Sequence, residues 1–150
     1  MRTFALLLLP AWLACTAPPA PGPRIHFDRT AETSAADLPF SDAVRVGDLI
    51  FVSGQLGIRP GEASLVPGGV AAETRQCLEN IRAILERNGS DLSRVVKCTA
   101  FLADIDEWPQ MNAVYREFFA TSLPARSAVA VGAGIAFGGR IELECIAAAG

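Results

Sequence analysis

Two stretches of this chain carry apolar side chains at the three- and four-residue spacing of an α-helix, and each has a single apolar stripe. Along 70–88, Leu78, Ile81, Ile84 and Leu85 recur at that spacing, with Thr74 and Cys77 extending the row. Glu73, Arg75, Glu79, Arg82 and Glu86 mostly fall away from it, so this helix has one face to bury. Asn88-Gly89 supplies its stop. A second helix is expected over 107–119, with Asp106 as N-cap. Its apolar side is Trp108, Met111, Val114, Tyr115, Phe118 and Phe119, an aromatic group that reads as core.

Between and around these helices the pattern is that of short strands. A first strand begins at Ile25. Val44-Arg45-Val46, the pair Gly47-Asp48, and 49–53 read as a hairpin. Gly57, Pro60, Gly61, Pro67, Gly68 and Gly69 then mark a loop. Strands are expected over 95–104, 127–131 and 140–148. The Gly-rich turn before the last strand lacks GxGxxG spacing and a following helix, so it is not a phosphate cradle. The order β-β-β-α-β-α-β-β predicts an α+β fold, a mixed β-sheet with two helices packed on one face. The other face would then expose Phe51, Phe101, Val129, Val131 and Leu143. That is too much apolar surface for a monomer, and symmetric association is the expected closure.

A chain of 150 residues suits one domain. Its net charge of −3 and singly scattered basic residues argue against a nucleic-acid partner. Residues 1–15 read as a secretory signal: Met1-Arg2, the apolar run Phe4 to Leu9, and Ala14-Cys15. They resemble a bacterial lipoprotein signal in which Cys15 is lipidated, with ordinary secretion and an uncleaved tail as alternatives. Residues 16–24 form a Pro-rich linker and 25–150 the domain. The expectation is an exported protein, periplasmic or an envelope lipoprotein, that meets membrane only through this anchor. Cys77, Cys98 and Cys145 match no zinc spacing and read as small buried residues, though an oxidising compartment would allow one pair, unspecified, to bridge. With His26 as the one histidine, no metal site is expected.

Arg126 stands just before an alternating apolar stretch. A guanidinium at the mouth of a strand is a permanently charged fork able to hold a carboxylate through two parallel hydrogen bonds. Downstream, Glu142 and Glu144 are spaced two apart on a strand and so share a face. One of them could stay ionised and activate water.

Five ordered blocks carry a resemblance: 38–44 (LPFSDAV), 51–55 (FVSGQ), 111–115 (MNAVY), 124–127 (PARS) and 141–144 (IELE). Together they resemble the Rid family of enamine/imine deaminases, also called YjgF/YER057c/UK114. The resemblance implies a chorismate-mutase-like, trimeric fold with clefts between subunits. It also implies cofactor-independent hydrolysis of 2-imino or 2-enamino acids to 2-keto acids and ammonia, of the 2-iminobutanoate/2-iminopropanoate type. Arg126 then matches the arginine that grips the substrate carboxylate, and Glu142 the residue that orients water. Ser53, Asn112 and Phe40 match further cleft positions. Phe40 replaces the usual Tyr, which removes a hydroxyl, and Ala128 replaces a frequent Cys. The alternative is a non-catalytic module that holds a small carboxylate at the cell envelope.

Overall fold

Six strands form one sheet in the computed structural model, which describes residues 22–150. They are β1 (Ile25–Asp28), β2 (Ala43–Val46), β3 (Leu49–Leu56), β4 (Val95–Leu102), β5 (Ala125–Ala130) and β6 (Ile141–Ala148). The order across the sheet is β1-β2-β3-β6-β4-β5, with β4 and β5 parallel and every other pair antiparallel. The expected signal segment and residues 16–21 of the linker lie outside the described residues.

The hairpin forms as its sequence predicts, with Gly47 at φ +58°, a backbone region open to glycine. Helix α2 (Gly69–Arg87) follows the expected stripe, and its end is closed by Ser90 N–H donating to the Leu85 carbonyl past Gly89 at φ +73°. Helix α3 (Trp108–Phe118) starts later than expected. Asp106 does not cap it. The Asp104 carboxylate accepts from the Asp106 N–H and caps a short 3₁₀ turn (Ile105–Glu107) that leads into the helix. One element was not foreseen: α1 (Ala31–Ala35), too short for a periodic stripe to announce it. Thr30 caps α1, and the Asp42 carboxylate accepts from Thr30 N–H and from the buried Thr33 hydroxyl.

Both long helices lie on one sheet face. There Ile50, Ala100, Leu102, Ile141, Leu143 and Ala147 meet Leu78, Ile81, Leu85 and Met111 in a closed core. Leu143 therefore belongs to the covered face, not the open one, because β6 alternates with Ile141, Leu143 and Cys145 inward. Val131 falls beyond β5. The open face keeps Phe51 and Val129, each more than two-fifths exposed. Cys98 and Cys145, directly opposed on β4 and β6, form a disulfide, so two of the three cysteines expected as buried thiols are bridged. Cys77 remains a buried thiol whose pKa is driven up by burial, with the charges of Glu73 and Glu142 adding to it.

Candidate functional site

Arg126 is the second residue of β5, not a residue preceding it. It shares a face with Ala128, which packs on the core, and so points toward α3. Its Nη2 donates to Asn112 Oδ1 at 2.8 Å, and Nη1 lies 3.8 Å from Met111 Sδ, a weak acceptor. The guanidinium stacks over Tyr115, 4.4 Å from the ring centroid, and lies 5.7 Å from that of Trp108. No carboxylate among the described residues pairs with it, although five other arginines have carboxylate partners and three more donate to backbone carbonyls. Asn112, Tyr115, Phe119, Leu123, Pro124 and Arg126 line a cavity of about 610 Å³. A cationic fork, with Arg116 as a second cation in the lining, thus borders a space walled largely by apolar side chains.

Glu142 sits elsewhere. It alternates away from the core residues Ile141 and Leu143 and projects from the open face beside Glu144. Counting two strands across and three residues along places its Cα about 14 Å from that of Arg126, on the opposite face. Neither Glu142, Ser53 nor Phe40 lines the Arg126 cavity. The expected residues therefore form two groups, and one chain does not bring them together.

The second group is built on a β-bulge. Val52 pairs with Cys145 and Gln55 with Leu143, so Ser53 and Gly54 together oppose Glu144. The Glu142 carboxylate lies over Gly54: a Cβ there would overlap Glu142 Oε1 and come within 2.8 Å of Cδ. Burial raises the Glu142 pKa above the ordinary carboxylate value, and the charge of Glu144 raises it further. Ser53 Oγ donates to the Ser41 carbonyl at 2.7 Å, and Ser53 N–H to the Asp42 carbonyl. Its donor is thus spent on holding the segment that presents the half-exposed Phe40. His26 is exposed on β1, away from both groups.

Sequence reasoning missed Tyr115 and Gly54 as site residues. Tyr115 falls in the apolar stripe and in the 111–115 block, and it lies three positions after Asn112 and so on the same helix face.

The family model described as endoribonuclease L-PSP matches residues 30–149. A Bos taurus protein named 2-iminobutanoate/2-iminopropanoate deaminase is 49% identical over 121 residues, 81% of this chain and 88% of the relative. The crystal structure of yeast YEO7 superposes with a TM-score of 0.78 at 40% identity, covering 85% of this chain and 100% of that one. E. coli TdcF, solved with bound serine, gives 0.70 at 31% identity, covering 75% and 89%.

These relatives overturn the expectation of an exported, periplasmic or envelope lipoprotein. They include mammalian deaminases and a Schizosaccharomyces pombe protein named as mitochondrial, at 44% identity. The expectation rested on Phe4 to Leu9, a run of six apolar residues closed by Pro10, which lies outside the described residues. The mixed sheet, its two helices on one face and the matched span of 30–149 agree, and the chain belongs to the endoribonuclease L-PSP family, the YjgF/YER057c/UK114 or Rid family that its five sequence blocks resemble.

Proposed function

We propose that this protein hydrolyses small 2-imino or 2-enamino acids to 2-keto acids and ammonia, in clefts where the Arg126 group of one copy faces the Glu142 group of another. The observation that carries this reading is the Arg126 guanidinium, pinned by Asn112 and two aromatic rings at a cavity and without a carboxylate partner. The names of the deaminase relatives and the serine bound to TdcF support it. The exposed apolar residues of the open face, Phe51 and Val129, supply the surface that association would bury, and a homotrimer is the expected assembly.

Arg126 holds the substrate carboxylate through its fork, which fixes C2 of the protonated imine. Glu142, ionised, accepts a proton as water oxygen bonds to C2 and the C=N π electrons move to nitrogen. The resulting carbinolamine collapses when the protonated Glu142 returns its proton to nitrogen. The C2–N bond breaks and ammonia leaves as the carbinolamine hydroxyl gives its proton to the Glu142 carboxylate and becomes the keto group; ammonia or solvent then takes that proton and leaves Glu142 ionised again. The side chains do this chemistry without a cofactor.

A second reading is favoured by Phe40, which offers no hydroxyl at the cleft rim: the protein holds a small carboxylate without converting it. One experiment separates the two. 2-Iminobutanoate is generated in situ and its hydrolysis followed with wild-type protein and Arg126→Ala. Acceleration by wild type that falls to the uncatalysed rate in the variant is the expected result. Equal rates with and without protein would refute the enzyme.

A further inference from the structure

Tyr115 is the one tyrosine of the chain and is 4% exposed. Its hydroxyl is buried and has no hydrogen-bond partner among the described residues. Buried tyrosine hydroxyls nearly always find one, because an unmade hydrogen bond away from water is costly. The ring forms part of the wall of the Arg126 cavity and lies under the guanidinium. Burial pushes the phenol up to about 12, and the Arg126 charge offsets this only in part, so it stays protonated and a donor at neutral pH.

What is missing beside this hydroxyl is an acceptor. Arg126 has only donors, and the Asn112 carbonyl oxygen is already taken by Nη2. The Met111 thioether is a weak acceptor and faces Nη1. A carboxylate has two oxygens and about four acceptor directions, enough to take two guanidinium donors and one phenol together. We propose that the Tyr115 hydroxyl is a substrate-binding donor, completing with Arg126 a three-donor seat for the carboxylate of a 2-imino or 2-keto acid. This rests on the reading that Arg126 grips a carboxylate. The hydroxyl touches no solvent in the free chain, so the anion engages it as the guanidinium and ring part. An unpaired hydroxyl kept at a binding cavity is stability given up for a contact made only when the ligand arrives.

Because Tyr115 is the only tyrosine, the tyrosine doublet in a Raman spectrum reports on this one hydroxyl. In the full-length protein it should show a free phenol, and saturating 2-oxobutanoate should change it to the pattern of a hydrogen-bond donor. Tyr115→Phe should raise Tm in the free protein while weakening 2-oxobutanoate binding about tenfold, a pairing that a purely structural tyrosine would not give. An unchanged doublet at saturation, or Tyr115→Phe binding within about twofold of wild type, would overturn the assignment. If Arg126→Ala abolishes binding in that case, the carboxylate reading stands without Tyr115. If binding is indifferent to Arg126→Ala, both readings fall.

Discussion

Replacing Gly54 by alanine should separate the site from the fold. Gly54 has no left-handed backbone, and the three heavy atoms nearest to an added methyl group all belong to the Glu142 side chain. The added Cβ would overlap Oε1, lie 2.8 Å from Cδ and 3.1 Å from Cγ. All three atoms belong to the free end of a flexible side chain that points from the open face, so the cheapest relief is for Glu142 to swing away. An off-rotamer glutamate costs about 0.5–1.5 kcal/mol, which for a domain of this size lowers Tm by roughly 3–5 °C per kcal/mol. The catalytic effect should be larger. If Glu142 takes the proton from water, its displacement removes a contribution of about 10²-fold or more, at least 2.7 kcal/mol in the barrier. Gly54→Ala should therefore melt close to wild type yet lose about two orders of magnitude in kcat/KM for 2-iminobutanoate. The control is a double-mutant cycle with Glu142→Gln: in that background Gly54→Ala should cost almost no further activity. Activity within about threefold of wild type, or an equal loss in both backgrounds, would show that the close approach of Gly54 and Glu142 is not what sets the reaction geometry.

Three further outcomes follow from the same structure. Glu142 must be ionised to accept a proton, and its carboxyl titrates above the ordinary range, through burial first and Glu144 second; activity should therefore fail on the acid side, and Glu144→Gln should move that limb of the kcat/KM profile to lower pH, whereas no shift or the opposite one would contradict the assignment. If the cleft joins Arg126 of one copy to Glu142 of another, co-refolding inactive Arg126→Ala and Glu142→Ala chains in equal amounts should restore about a quarter of wild-type activity, and none if both residues serve from the same chain. The Cys98–Cys145 bridge closes a loop of 47 residues, so peptides carrying these cysteines should stay linked until reduced, and the variant Cys98→Ala/Cys145→Ala should lose about 4 kcal/mol in denaturant unfolding; separate peptides without reduction would refute the bridge.

What the sequence could announce, and what it could not, follows from the range of each interaction. The α2 stripe and the Gly47 hairpin are local patterns, and both were legible because a periodicity or a turn residue reports on its own neighbourhood. α1 is invisible to that logic, since it is held by Asp42 from a later segment and not by a stripe of its own. The register of β4 against β6 decides that Cys98 meets Cys145, and no spacing rule reaches across 47 residues to say so. The site shows the same limit more sharply. Arg126 and Glu142 were legible as the right chemical types, and alternation correctly put Glu142 beside Glu144. Their relation to each other depended on which face each strand turns to the helices. β5 runs parallel to β4 with Ala128 on the core, which turns Arg126 toward α3, while the alternation of β6 turns Glu142 outward. Two groups suited to one reaction thus lie on opposite faces of one sheet. For both to act on one substrate, the open face has to be closed by another copy of the chain, so the assembly first inferred from surplus apolar surface becomes a requirement of the proposed chemistry as well.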